Sequence, residues 1–561
     1  MSSYLNPFGP FPSRKTPRNT IDKRAVVKDD IPSPLTDLTY AGIPKLTFDE
    51  YSTPFTSETL QTITDLDPEI LATAFSQGFD AQAIEDYITR FRKQDVKDVW
   101  DKIVKNRRVF TYALDTGNVD VIELCLRHGA NPNSTDFGDI SRIAFVSMRA
   151  LKVGHATPEV TRLLLSYGPS PNSLPREMWE NFLEQPNSDE ARYGVLLSLA
   201  ARGLDLTTRY YLWQAAHIQQ RLQRMIQIAE AHKMTALLRL PYQIVGQELA
   251  SRLVVNTVFA HIAEDMAKPL VLAFADCAGL MNQTSLFGMS AGYYDNHNGA
   301  PLNNFLVKHQ GKRCIVFLDE FEKTGRDVHN ALLKVMDDGG YRDRRGNRDS
   351  SMLDCKKVIW ILATNSGDAI ISRFFDDHLA RCKPEDVGKV PIELLQTALK
   401  TQFTALFSAA VTGRINAIAP FFPFSPGEQA VVAHKFLRDM QAGARQAVSV
   451  DDKKLIGHAD IAVVDDGRVC AALGKKSYQR DLGARSIREG VRDLRCGFVL
   501  EYANTDDLVT DAMNEGARQK FFAQVSRRRD GSEEVVLVRA AVKKRKRARD
   551  DNGAVDLTQE G

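Results

Sequence analysis

The segment Arg313-Cys-Ile-Val-Phe-Leu-Asp319-Glu320-Phe-Glu-Lys323 constrains the fold most. Four apolar residues followed by two carboxylates read as a buried parallel strand that ends at a site. Ligand sites in open α/β sheets lie at the carboxyl ends of strands. There Asp319 can hold Mg2+ through water, and Glu320 can activate the water that attacks a γ-phosphate. Such a strand also ends in ordinary structural turns, so its surroundings must decide. Val328, Ala331, Leu332, Val335 and Met336 follow at helical spacing. The pattern stops at Asp337-Asp-Gly-Gly340, and a second apolar run, Val358-Ile-Trp-Ile-Leu-Ala363, ends at Thr364-Asn365. If the two strands are neighbours, the Asn365 amide lies beside the carboxylates and can orient the attacking water.

A chain of 561 residues exceeds one ordinary domain. Residues 1–55 are rich in Pro, Ser, Thr and charge and read as loop or disorder. A helical pattern then begins, with Ile84, Tyr87, Ile88 and Phe91 on one face. A weak repeat follows in Gly117–Asn133, Val160–Asn172 and, more faintly, Val195–Asp205. Each copy is a one-faced apolar helix closed by a glycine (Gly129, Gly168, Gly203) suited to a left-handed helix end. The repeats resemble ankyrin repeats, although the Thr-Pro-Leu-His turn is missing; a plain helical-hairpin domain is the other reading. Stacking would bury faces that no copy can bury alone.

The seven cysteines, an odd number with no C-x-x-C pair, argue against a disulfide framework and a cysteine zinc site and for a reducing compartment. No apolar run is long enough for a membrane helix, and the first residues lack the apolar core of a signal peptide. The net charge of +2 says nothing for or against a nucleic-acid or membrane partner. The run Lys543–Arg549 reads as a nuclear import signal or as a solvated charge run, so the chain is expected in the cytoplasm or nucleus. Without interleaved aromatics it is not expected to bind nucleic acid.

The order Leu-Asp-Glu-Phe-Glu-Lys, helix, Asp-Asp-Gly, Ala-Thr-Asn resembles the AAA+ core of the Clp unfoldases and disaggregases. By that resemblance Asp319-Glu320 is the Walker B pair and Asn365 is sensor 1. Tyr242-Gln-Ile-Val245-Gly246-Gln247 resembles the box that contacts adenine. Leu482-Gly-Ala-Arg485 resembles sensor 2, whose arginine reaches the γ-phosphate. Gly413-Arg414-Ile415-Asn416 matches two of the four positions of the arginine-finger segment, which implies a homo-oligomeric ring. Gly292-Tyr293-Tyr294-Asp295 resembles the pore loop that grips client proteins.

One part is missing. The apolar run Leu270–Ala275 should lead into G-x-x-x-x-G-K-S/T, whose amides and lysine cradle phosphates, but it passes directly to Asp276-Cys277. A phosphate loop, its helix and the next strand need on the order of 25–30 residues. Gly474-Lys-Lys-Ser477 has Gly467 at the wrong spacing and reads as an exposed basic turn. The resemblance therefore implies a protein remodeller using ATP and Mg2+, inactive in this chain for want of the loop. The alternative is a pseudo-ATPase scaffold that binds proteins through its repeats. The expected architecture is ankyrin-like helices (56–205), a helical connector (206–240), an incomplete α/β AAA+ large domain (241–425), a small α+β lid (426–542) and a basic tail (543–561).

Overall fold

The computed structural model describes residues 56–136, 140–218, 222–275, 301–342, 352–528 and 531–540. The repeat region is built from helix pairs. Helices α1 (Val109–Thr116) and α2 (Val119–Arg127) are joined at Gly117, whose φ of +65° favours glycine. The Asn118 side chain caps α2 by accepting from the amides of Asp120 and Val121. Helices α3 (Arg142–Val153) and α4 (Pro158–Ser166) follow, then α5 (Glu190–Arg202) and α6 (Leu206–His217). α3 packs on α5, and α4 on α6.

Gly129 and Gly168 close their helices with φ of +96° and +118°, as the repeat pattern requires. Gly203 does not: its φ is −87°, in the right-handed region. Its glycine answers to close packing instead. A Cβ there would lie 1.8 Å from the backbone carbonyl oxygen of Ser147 on α3. Gly203→Ala must push two helix backbones apart and is expected to cost about 2–3 kcal/mol. A urea-unfolding midpoint for the repeat region equal to the unsubstituted protein's would contradict this packing role.

The central sheet has four parallel strands, β1 (Leu270–Ala275), β2 (Cys314–Leu318), β3 (Val358–Thr364) and β4 (Ala417–Pro420), in the order β4-β1-β3-β2. α7 (Glu248–Ala263) precedes β1, α8 (Pro301–Lys308) precedes β2, α9 (Arg326–Asp337) links β2 to β3, and α10 (Ile392–Thr412) leads to β4. One sheet face, with Val271, Val316, Leu318, Trp360 and Leu362, is covered by α8, α9 and α10. The other, with Leu270, Leu272 and Ile359, is covered by α7 and the helices of residues 223–238.

β2 departs from the buried strand its apolar run predicts. Val316 and Leu318 are buried, but Ile315 and Phe317 are 58% and 48% exposed. Among the described strands β2 is the outermost on its side. Its register pairs Ile315 with Ile359 and Phe317 with Ile361, so both exposed residues lie on the α7 face, beyond the reach of α7.

The C-terminal unit is α+β. Helices α11 (Pro426–Ala444), α12 (Asp466–Ser477) and α13 (Ala484–Ala503) pack with strands β5 (Ala459–Val463), β6 (Gln519–Arg527) and β7 (Glu533–Arg539). β5 and β6 are parallel, and β7 completes an antiparallel hairpin. Phe498, Tyr502 and Phe521 join α13 to the sheet through their rings. Gly474-Lys-Lys-Ser477 is the last turn of α12, where Lys475 and Lys476 are exposed and basic as expected while Gly474 packs on Gln429 and Ala430 of α11.

Candidate functional site

The strand order places the expected site residues. Leu318 of β2 pairs with Leu362 of β3, so Asp319-Glu320 and Thr364-Asn365 leave the sheet side by side at its carboxyl edge. Glu320 sits at φ +48°, a left-handed conformation that costs a non-glycine residue on the order of 1 kcal/mol or more. Its amide donates to Asp319 Oδ1 at 3.0 Å. A short turn, Phe321–Lys323, follows, anchored by the fully buried Phe321 ring against Phe407 and His329.

Glu320 is only 7% exposed. Its Oε1 accepts from Lys323 Nζ at 2.6 Å, and its Oε2 is buried without a hydrogen-bond partner. Glu322 Oε1 accepts from the Asn365 backbone N–H at 3.2 Å, while its Oε2 is also buried and unpartnered. Glu322 and Lys323 are thus members of the site that the sequence reading left without a role. Their signal was position alone, two and three residues beyond the carboxylate pair.

Arg414 is at the other edge of the sheet. Asn416, two residues on, exchanges hydrogen bonds with Val271 near the start of β1, with Asn416 N–H donating to Val271 O and Val271 N–H to Asn416 Oδ1. Arg414 donates to Asp337 Oδ2 (3.0 Å), Leu333 O (3.0 Å) and Ala410 O (2.7 Å). The structure does not bring it to Glu320 of its own chain. Arg485 is exposed in the first turn of α13. Near it, Arg480 forms a bidentate pair with Asp376 (2.6 and 2.8 Å), joining the lid to the segment after β3. Tyr293, Tyr294 and Lys543–Arg549 lie outside the described residues.

The Val245-Gly246-Gln247 turn is committed to contacts within the protein. Val245 is buried. The Gly246 amide donates to Tyr210 Oη at 2.8 Å. Burial raises the Tyr210 phenol well above its ordinary range, so it stays neutral. The Gln247 side chain donates to Phe422 O and accepts from Phe422 N–H at 2.7 and 2.8 Å. At Gly246, φ +65°, a Cβ would lie 2.4 Å from Glu428 Oε1.

Asp319, Glu320 and Asn365 are chemically suited to a hydrated Mg2+ and a nucleophilic water. The rest of a nucleoside triphosphate is not matched. The sequence holds no glycine-rich loop with its lysine, and the Gly246 amide is taken by Tyr210.

Topology constrains the passage from β1 to β2, whose residues 276–300 lie outside the described ones. The β2–α9–β3 and β3–α10–β4 crossovers run across the sheet in one direction, with both helices on one face. The passage from β1 to β2 runs the other way, yet α8 lies on that same face through Leu302 and Leu306. A direct β1–α8–β2 crossover would therefore have the opposite hand. Parallel crossovers are right-handed in about 98% of cases. The rule is kept when the chain first crosses on the α7 face, enters a strand beyond β2, and returns through α8. A helix on that path would cover Ile315 and Phe317.

The chain is similar in part to known proteins. Residues 233–418 match the AAA domain (Cdc48 subfamily), and residues 110–137 match the ankyrin repeat. The chain is similar to the chaperone protein ClpB of Staphylococcus aureus (strain COL), with 25% identity over 207 residues, 37% of this chain and 21% of that protein. It is also similar to the ClpA homolog protein of Fuscovulum blasticum, with 25% identity over 249 residues, 44% of this chain and 26% of that one. Among solved structures, the S. cerevisiae Hsp104:casein complex in its extended conformation matches with a TM-score of 0.39 and 15% identity, covering 67% of this chain and 65% of that one. The chain thus spans about a fifth to a quarter of the length of these curated relatives.

The parallel sheet and the match over residues 233–418 define an AAA+ domain. Over that domain the chain is similar to Clp-type proteins, and it carries ankyrin-repeat sequence ahead of the domain. No helix among the described residues is long and apolar enough to cross a membrane.

Proposed function

We propose that this protein is an ATP-driven remodeller of other proteins, and that the 561-residue form is inactive toward nucleotide because its phosphate-binding loop is missing. The observation that carries the reading is the Glu320 carboxylate, held in a strained backbone turn beside Asp319 and Asn365 with one buried oxygen unpartnered. An unsatisfied buried acceptor costs about 1–3 kcal/mol. A sheet edge kept only for structure gains nothing from that cost, whereas an edge that receives a water or a hydrated cation does. In this reading Asp319 holds Mg2+ through water, Glu320 takes a proton from the attacking water, Asn365 orients that water, and Arg485 contacts the γ-phosphate. Tyr293 and Tyr294 grip the client polypeptide. The exposed Ile315 and Phe317 support a lost segment over an ancient absence, since large apolar side chains on a sheet face suit a covering helix.

Arg414, at the opposite edge from its own chain's carboxylates, suits action on a neighbouring subunit and hence a homo-oligomeric ring. In a form with the loop restored, Arg414→Ala is expected to slow hydrolysis by on the order of 10^3 while the far-ultraviolet dichroism stays unchanged. Unchanged turnover, or loss of fold together with turnover, would count against the ring. The second reading, a pseudo-ATPase scaffold, is favoured by one observation, the occupation of the Gly246 amide by Tyr210. The Lys543–Arg549 run supports a nuclear or cytoplasmic location.

A further inference from the structure

Residues 206–217 are expected from sequence as part of a connector, but α6 packs against the lid helix α11. At the centre of this contact is Arg209, whose side chain is fully buried. Its guanidinium donates to Asp466 Oδ1 at 2.6 Å and to Leu204 O at 2.7 Å, and its Nε donates to Phe182 O at 2.9 Å. Asp466, in the first turn of α12, also accepts from the Leu206 amide (2.6 Å) and from Gln185 Nε2 (2.7 Å). Burial by itself would raise the Asp466 carboxyl, but Arg209, His434 and the Leu206 amide hold it below the usual carboxylate range. It therefore stays charged and paired at neutral pH.

Three more contacts surround this pair. His434 Nδ1 of α11 shares a hydrogen bond with Thr207 Oγ1 at 2.7 Å. Arg438 of α11 clasps Glu159 of α4 through two hydrogen bonds of 2.8 and 2.9 Å. Finally, the backbones meet without room for a side chain: a Cβ on Gly467 would lie 1.8 Å from Leu183 O. Toward the large domain, Phe424 N–H donates to Tyr478 Oη of the lid at 3.0 Å, and Gln429 Nε2 of α11 donates to Phe424 O at 2.8 Å. α6 binds the first residues of that domain through Gly246 N–H to Tyr210 Oη (2.8 Å) and Gln214 Nε2 to Ile244 O (2.7 Å), but no buried ion pair joins the lid to it among the described residues. The Arg480–Asp376 pair is exposed on both sides, and such pairs contribute about 0–1 kcal/mol.

We propose that the last helices of the repeat region (α4 and α6) and the lid helices α11 and α12 form a single rigid body, latched by Arg209–Asp466, and that the lid moves on the sheet only by carrying the repeats with it. The repeats then act as a lever on the lid. A protein bound to them biases the angle of the lid against the large domain, which no flexibly tethered adaptor could do. Removing one partner of a buried ion pair leaves an uncompensated charge, so the latch has a sharp point of failure.

The test is hydrogen exchange on the full chain across a series of urea concentrations. Amides of α6, α11 and α12 are expected to open as one unit, with a shared urea dependence distinct from that of β1 and β3. Asp466→Asn is expected to speed exchange in α6 and α12 together by at least about tenfold, leaving β1 and β3 unchanged. Arg480→Ala is expected to leave α6 and α12 unchanged. The proposal is overturned if, in the unsubstituted protein, α6 opens with α1–α3 while α11 and α12 stay closed. That comparison decides the matter even if Asp466→Asn does not fold. An effect of Asp466→Asn confined to α12 also overturns it.

Discussion

Purified as the 561-residue chain, the protein is expected to bind MgATP with a dissociation constant of about 1 mM or weaker. Most affinity for a triphosphate comes from backbone amides and a lysine that offset its charge. Here β1 is followed in sequence by Asp276, with no glycine-rich loop. The carboxylates of Asp319, Glu320 and Glu322 crowd the carboxyl edge that a phosphate would approach, and among the described residues Lys323 is the one cation paired with any of them. Restoring the loop is expected to bring the constant to about 1 μM, a gain of about 4 kcal/mol. Titration calorimetry on both forms measures the difference. Micromolar binding by the chain as it stands would mean that the phosphates are held by groups outside this account.

The second large effect concerns chemistry. In the loop-restored form, Glu320→Gln is expected to lower ATP turnover by about 10^2–10^4-fold, the usual contribution of a positioned general base. Nucleotide affinity should change by less than about threefold, because Asp319 is untouched. Glutamine keeps the size of the side chain and can still bond within the turn that Phe321 anchors. Turnover within a factor of a few of the parent would remove Glu320 from the role and direct attention to Glu322, whose Oε2 is also buried and unpartnered.

The parts of this fold that were legible in the sequence are those fixed by local pattern. β1 and β3 are continuous apolar runs, and both are central strands buried on two faces. α9 was written in the spacing of Val328, Leu332, Val335 and Met336, all buried, and its end in Gly339, at φ +71°. The same rule misjudged β2, because burial of an apolar run depends on neighbours, and among the described strands none lies on the outer side of β2. Gly203 was read as a helix terminator when its reason is a carbonyl oxygen on another helix. The juxtaposition of the Asp319-Glu320 and Asn365 strand ends followed from strand neighbourhood. The Arg209–Asp466 pair had no local signal at all, since its members are 257 residues apart.

We propose that the AAA+ sheet has lost one crossover, and the phosphate loop with it. Crossover hand, the exposed Ile315 and Phe317, and the unpartnered Glu320 oxygen all bear on that claim. The direct measurement is the sequence of the native transcript across the codons for Ala275 and Asp276. The expected result is a longer in-frame product in which Ala275 is followed by a G-x-x-x-x-G-K-S/T loop, a helix and the beginning of a further strand. Transcripts that all join Ala275 directly to Asp276 would contradict it and leave the scaffold reading in its place.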